Sequence, residues 1–248
     1  MSTNINEFKE IFLKVKESGW IESHRKGNTG IGKTFEDCCD IVENNNDIPD
    51  FKDIEIKSQR NYTGSYITLF TKAPTYPLRA NTTLRNSYGS PDPDFPDLKI
   101  LHTSIFANKF NTYKNTYGFK LEVDEENRKI LLLVKDLSSD TIIMNSVYWS
   151  YEVIKRIIET KLQYIAYITA KVKRENGNES FNFTKMVLLS NFTFKIFIEL
   201  LKNGYIMFDI RIGAYKTGSK RGTSHDHGSG FRISKRNLHK AFNIETIE

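Results

Sequence analysis

Three charged side chains, Asp50, Glu55 and Lys57, stand at the spacing Asp-x4-Glu-x-Lys. A Mg²⁺ ion needs hard oxygen ligands and usually takes only one or two carboxylates from a protein. The run Asp53-Ile54-Glu55-Ile56-Lys57-Ser58 alternates strictly. It reads as a strand with Ile54 and Ile56 on one face and Glu55 and Lys57 on the other. Asp50 can curl back from the preceding turn to share an ion with Glu55. The Lys57 ammonium, on the same face, can orient or deprotonate an attacking water and offset phosphate charge in a transition state. Glu36, on an earlier helix, can approach from the side as a further acid. The competing reading is an exposed strand with an alternating Glu–Lys pair, because 27% of the residues are charged and such spacings recur by chance.

A second group lies near the C-terminus: Asp209-Ile210-Arg211, Tyr215, Lys220-Arg221, His225-Asp226-His227-Gly228 and Phe231-Arg232-Ile233. Asp209 and Arg211 alternate with apolar residues and so project from one strand face. Asp accepts from cytosine N4, Arg donates to guanine O6 and N7, and His does either according to its protonation. The inventory suits G·C-rich readout in a major groove. A zinc reading of His225-x-His227 lacks further ligands, since His24, His102 and His239 show no pattern and Cys38 and Cys39 fall on an apolar helical stripe. A solvated basic loop is the plain alternative.

The third group, Arg25-Lys26-Gly27-Asn28-Thr29-Gly30-Ile31-Gly32-Lys33-Thr34, meets the Gly-x4-Gly-Lys-Thr spacing of a phosphate-binding loop. Such a loop follows a hydrophobic strand, whereas Ile21-Glu22-Ser23-His24-Arg25-Lys26 is polar and basic. An NTPase is therefore a weak reading. Backbone amides at a helix start can instead hold a DNA phosphate, with Lys26 and Asn28 beside it.

These groups need a scaffold. Ile5, Phe8, Ile11, Phe12 and Val15 predict a first helix, stopped at Gly19. Phe35, Cys38, Cys39 and Val42 predict a second, capped by Thr34. Strands follow at 53–58 and 66–72, and 81–117 reads as long loops or an excursion. A hairpin is predicted from Phe119–Val123 and Lys129–Val134, and Ser150 caps a helix carrying Ile154, Ile157, Ile158 and Leu162. The strand 164–172 leads through Asn176-Gly177-Asn178 into a second hairpin. A helix over 194–202 precedes a strand over 205–212, a loop over 216–230 and a strand at 231–234. The order is mixed α and β around a central sheet.

The chain has 248 residues and a net charge of +6, with only two cysteines, which are adjacent. That excludes a disulfide framework and fits a reducing, cytoplasmic setting. No apolar run is long enough for a membrane span, and the charged, amphipathic start excludes a secretory signal. Charge is segregated: eight acids against one lysine from Glu36 to Glu55, and eight Lys or Arg against one Asp from Arg211 to Lys240. Between Arg60 and Gly89 there are four bases, among them Lys72 and Arg85, and no acid. An acidic cluster beside two basic stretches points to a metal site held against a polyanion.

Taken together, the sequence resembles the MvaI/BcnI group of Type II restriction endonucleases, on its MvaI side, relatives of the mismatch-repair nickase MutH. The resemblance is carried by 25–37, by Asp50-Phe51 with Asp53–Lys57, by Thr68–Lys72, by Asn145–Ser150 and by Asp209 through Ile233. The stretch 90–116 carries none of it. The resemblance implies a restriction-endonuclease-like PD-(D/E)xK core, Mg²⁺ dependence and a monomer whose two lobes grip double-stranded DNA. It makes Asp50 and Glu55 metal ligands, Lys57 the catalytic lysine and Glu36 a supporting acid. Base readers become Asp209, Arg211, His225, His227 and Arg232, with Tyr215 nearby.

The expectation is a catalytic lobe over 1–172, with its excursion near 73–117, and a recognition lobe over 173–248. Its function would be Mg²⁺-dependent double-strand cleavage giving 5′-phosphates at CCWGG, or at a relative such as CCSGG or CCNGG. A cognate methyltransferase would be the genetic partner. A MutH-like nickase and a non-catalytic DNA-binding protein are the rival readings.

Overall fold

Ile5, Phe8, Phe12 and Val15 recur every three or four residues and form the buried side of the first helix, α1 (Thr3–Glu17), as amphipathic spacing requires. A computed structural model of the chain describes residues 3–42, 48–61 and 66–247, so part of the acid-rich stretch, 43–47, lies outside the described residues. After α1 come β1 (Trp20–Glu22), α2 (Gly30–Cys38), β2 (Ile54–Arg60), β3 (Tyr66–Thr71) and α3 (Ala80–Tyr88). Next are β4 (Ser90–Pro91), β5 (Lys99–Ile105), β6 (Tyr117–Asp124), β7 (Lys129–Asp136) and β8 (Thr141–Ser150). The helix α4 (Tyr151–Lys161) leads to β9 (Tyr164–Glu175), β10 (Asn178–Ser190) and α5 (Phe194–Lys202). The chain ends with β11 (Ile206–Ala214), β12 (Ser224–Asp226), β13 (Gly230–Ser234), α6 (Leu238–Ala241) and β14 (Asn243–Ile247).

Two compact units are drawn from interleaved segments: one from 1–65, 156–193 and 238–248, the other from 66–155 and 194–237. Residue 172, where the sequence reading divides the chain, lies inside β9. The first unit holds a mixed sheet in the order β1-β10-β9-β2, with β14 also on β10. Among the described residues, its one parallel pair is β2 with β9. Its core joins Phe8, Phe12 and Phe35 to Ile54, Ile56, Ile168, Phe181 and Phe183. The second unit holds a sheet in the order β3-β13-β11-β5-β4, with β12 on β11, and a meander β6-β7-β8. Trp149 packs edge-on against Phe208 and Phe231 there, at 4.5 and 5.4 Å between ring centroids.

The mixed α and β class is as expected, with local corrections. The second helix begins at Gly30, not at Thr34. Thr34 is fully buried inside it, its hydroxyl donating to the Gly30 carbonyl at 2.7 Å. Val42 lies beyond the helix and is exposed. The excursion at 81–117 contains α3 and β5, and β5 pairs with β11 from Phe208↔Ile105 to Ile212↔Leu101. Apolar alternation is weak in Lys99–Ile105 because one face, with His102 and Ser104, looks onto polar groups. The sequence pattern likewise does not mark β1, β4, β8, β12, α6 or β14.

Candidate active site and nucleic-acid interface

In the first unit, β2 lies at the edge of the sheet, and α2 packs against it. Glu55 is only 3% exposed, so the face expected to be open is covered, and an exposed strand does not describe it. Burial pushes its carboxyl up; the ammonium of Lys57 opposes that, the nearby Asp50 charge adds to it, and Lys161 opposes it again. Lys57 forms an ion pair with Glu55 Oε1. Glu55 Oε2 is buried and accepts no hydrogen bond, while Lys161 Nζ stands 3.5 Å from it. Asp50 Oδ2 accepts from the Ile56 amide at 2.8 Å, which fixes that carboxylate beside the strand.

Two carboxylates, one with an orphaned buried oxygen, suit a hard divalent cation. Among the described residues no three acidic, His or Cys side chains gather into a metal-holding group. Glu36, half-buried on α2, therefore does not complete a three-carboxylate set. Lys161 was not singled out from sequence: a lysine at the end of an amphipathic helix gives no sign of its partner. Farther along β2, Gln59 accepts from the buried Tyr167 hydroxyl, whose pKa burial raises.

The glycine-rich segment is held by contacts unrelated to nucleotide binding. Lys33 pairs with Asp37, and the buried Thr34 hydroxyl also accepts from the His24 amide at 3.0 Å. Both residues that a phosphate-binding loop needs are thus engaged. A Cβ at Gly30 would collide with the Arg25 carbonyl and the Ser23 hydroxyl. Arg60, at the end of β2, donates to the Gly27 and Asn28 carbonyls, each at 3.1 Å, and pairs with Glu179. Lys26 and Asn28 stay exposed.

In the second unit, Asp209 and Arg211 project from β11 as expected. The Asp209 carboxylate accepts from Ser104 Oγ at 3.0 Å, and Arg232 Nε lies 3.0 Å from it, though off the line of a hydrogen bond. Arg232 is tied further to Thr68 Oγ1 at 2.6 Å and to the Gly228 carbonyl at 3.0 Å. Arg211 remains half-exposed, its Nε 3.9 Å from Asp209. A concavity of about 320 Å³ is lined by His102, Ser104, Asp209, Arg211 and His227 among others. His225 stacks on Tyr215 at 4.0 Å and meets His227 edge-on at 4.3 Å. Desolvation pushes the His227 pKa down, and His225, His102 and Arg211 push the same way. A Cβ on Gly213 would sit 3.0 Å from His227 Nε2 and 3.1 Å from His102 Nε2; the bare backbone lets both rings approach.

The structure therefore brings together Asp209, Arg211, Tyr215, His225, His227 and Arg232, and adds Ser104 and His102, which had no pattern to reveal them. Lys220 and Arg221 lie on the loop after β11. That loop is clamped by Lys216, which bonds the buried Asp92 at 2.7 and 2.8 Å, and by Arg221, 5.1 Å over Phe95. The stretch from 90 onward, silent in the sequence, thus holds the basic loop. Arg85 bonds its neighbour Asn86 on α3. The same helix reaches the His225–His227 turn through Asn81, which donates to Asp226 at 3.0 Å. Lys72 follows β3, its carbonyl accepting from Trp149 Nε1 at 3.0 Å.

The profile of the MvaI/BcnI restriction endonuclease family matches residues 5–242. Among solved structures, a restriction endonuclease MvaI–cognate DNA substrate complex aligns with a TM-score of 0.92 and 42% identity, covering 100% of both chains. Restriction endonuclease MvaI in the absence of DNA aligns with a TM-score of 0.61 and 40% identity, covering 100% of this chain and 99% of that one. A search of curated proteins returns no match. A buried Glu paired with a half-buried Lys beside an adjacent Asp, on a fold and sequence that follow this family from end to end, leaves one assignment: the chain belongs to the MvaI/BcnI restriction endonuclease family and is a Type II site-specific nuclease.

Proposed function

We propose that this nuclease binds double-stranded DNA and hydrolyses one phosphodiester in each strand of CCWGG or a close relative such as CCSGG or CCNGG, with Mg²⁺ as cofactor. The observation that carries the metal reading is the buried, unbonded Glu55 Oε2 beside Asp50. Asp50 and Glu55 would hold Mg²⁺, which supplies Lewis acidity at the scissile phosphate. Lys57, held in place by its ion pair with Glu55, orients the attacking water and offsets charge building on the phosphate oxygens. The water oxygen bonds to phosphorus, the bond to the 3′ oxygen breaks, and that oxygen leaves with a proton; the phosphate stays on the 5′ end. Glu36 supports the acidic side of the site from α2.

The unit carrying β2 performs the chemistry and the unit carrying β11 reads bases, through Asp209, Arg211, His225, His227 and Arg232, with Tyr215, Lys220 and Arg221 alongside. Lys26, Asn28, Lys72 and Arg85 add backbone contacts. A relative solved on its cognate DNA substrate supports duplex DNA as the partner. The enzyme works as a monomer, cutting the strands in turn, beside a methyltransferase that protects the host.

The test is cleavage of a plasmid bearing the target. Lys57→Ala or Asp50→Ala should abolish cutting while target binding in Ca²⁺ persists; retained cutting would refute the site. A nicked intermediate should appear at limiting enzyme and then be consumed. A nick that is never completed would point to the MutH-like reading.

A further inference from the structure

Side chains alternate along a strand, so Gln59 shares a face of β2 with Glu55 and Lys57, while Ile54 and Ile56 turn into the core. Gln59 stands roughly 7 Å beyond Lys57 on that face, two residues at about 3.3 Å each. β9 runs parallel beside it, with Tyr167 opposite Lys57 and Thr169 opposite Gln59. The Tyr167 ring is buried, and its hydroxyl crosses to donate to Gln59 Oε1. Burial pushes the pKa of that hydroxyl up, so it keeps its proton and serves as a donor. A carboxamide offers an acceptor oxygen and a nitrogen with two donors. With the oxygen turned to Tyr167, the nitrogen points away from it. Among the described residues Nε2 makes no hydrogen bond, and it stays open to solvent. The half-buried Gln59 thus presents two N–H groups beside the catalytic lysine, oriented by a buried partner.

We propose that Gln59 is a substrate-positioning residue that donates from Nε2 to a phosphate oxygen of the strand being cut, with Tyr167 orienting it. The proposal rests on the endonuclease reading above, which sets the scissile phosphate at Lys57. Phosphate oxygens only accept hydrogen bonds, and glutamine is among the side chains that donate to them. An outward carboxamide oxygen would repel a phosphate; the Tyr167 hydroxyl holds that oxygen back. A neutral donor also leaves the charge balance of Glu55, Lys57 and Lys161 as it is, so it does not oppose a bound cation. Such a contact fixes the strand without selecting sequence. Its value lies in alignment, because a reacting phosphate displaced by about 1 Å can slow the chemistry about 100-fold.

The experiment compares Gln59→Ala, Gln59→Glu, Tyr167→Phe and the double variant Gln59→Ala/Tyr167→Phe. Binding of target and non-target duplexes is measured in Ca²⁺ across a salt series, beside single-turnover cleavage in Mg²⁺ and thermal melts. Gln59→Ala should weaken binding about tenfold on both duplexes, as loss of a hydrogen bond to a charged acceptor does. The slope of log K against log salt should stay at the wild-type value, because a neutral amide displaces no counterion. Gln59→Glu should bind less tightly than Gln59→Ala, since its carboxylate faces the phosphate. Tyr167→Phe should lose about two- to fivefold, and nothing further once Gln59 is already Ala. Gln59→Ala should also melt lower, because the buried Tyr167 hydroxyl loses that acceptor. The double variant should recover the melting temperature without recovering binding or cleavage; recovery of all three would make the pair merely structural. Unchanged binding in Gln59→Ala, a loss confined to the target, or a lower salt slope, which would mean that Lys57 had moved, would each overturn the proposal. An equal loss from Tyr167→Phe in both backgrounds would remove Tyr167 from it. If wild type failed to cut a target plasmid with Mg²⁺, the endonuclease reading would fall by itself; cutting by wild type with full binding in Gln59→Ala would remove this proposal alone.

Discussion

Lys161 Nζ lies 3.5 Å from Glu55 Oε2, a buried carboxylate oxygen at the candidate metal site that accepts no hydrogen bond. The ammonium from the end of α4 thus occupies the side of Glu55 that a cation would claim. Lys161→Ala should lower the Mg²⁺ concentration needed for half-maximal cleavage, because a competitor for that oxygen is gone. Without metal it should cost about 1–3 kcal/mol, since a buried acceptor loses a charged neighbour. A Mg²⁺ titration of cleavage and a denaturant melt in chelator check the two effects. An unchanged Mg²⁺ midpoint would show that Lys161 does not compete.

Arg211 and Arg232 both approach Asp209 but are held differently. Arg232 is mostly buried and bonded to Thr68 and Gly228, whereas Arg211 is half-exposed. Arg211→Ala should cost roughly 1–3 kcal/mol of discrimination at one base pair and leave the melting temperature nearly unchanged. Arg232→Ala should lower both discrimination and stability, because Asp209 loses its close partner. Binding to a panel of single-base variants, beside thermal melts, separates the two. Equal loss on every sequence would make Arg211 a phosphate contact.

The buried Asp92 carboxylate holds Lys216 and also accepts from the amides of Asp94 and Phe95 at 2.8 and 3.2 Å. Asp92→Ala removes all of these bonds at once. The loop that follows β11 should then be cut faster by trypsin at Lys220 and Arg221, and affinity for any duplex should fall. Limited proteolysis with mass mapping reads the outcome. Cleavage at the wild-type rate would mean that the loop is held by other contacts.

The Arg60 guanidinium, and then Arg174, hold the Glu179 carboxyl below its ordinary value of 4.5 against the opposing effect of burial. A folded pKa below the unfolded one adds stability that is fully present above about pH 4.5 and is lost as pH falls through the folded value. Glu179→Gln should cost about 1.5–3 kcal/mol at neutral pH. The gap between variant and wild type should close as pH drops below 4.5. Melting curves across that range would show the convergence; a gap independent of pH would mean that the loss is one of packing.

Much of the chemistry was legible in the order of residues. The alternation around Glu55 marks a strand, and the Asp-x4-Glu-x-Lys spacing brings Asp50 and Lys57 to it through local geometry alone. Asn176-Gly177 marks the hairpin, with both residues at positive φ. Asp209 and Arg211 share a face because side chains alternate along a strand. These relations span a few residues, so backbone periodicity settles them.

Tertiary structure decided what surrounds them. Glu55 is buried, with a second lysine beside it, because α4 delivers Lys161 to the face of β2 opposite Ile54 and Ile56. His102 and Ser104 join the base-reading group because β5 pairs with β11, although Lys99–Ile105 shows no clean apolar alternation. Asp92 reaches Lys216, and Arg60 reaches Glu179, across long stretches of chain. Polar pairs of that kind leave no periodic trace, since each partner alone reads as an ordinary charged surface residue. Only folding removes them from water and makes the pairing compulsory.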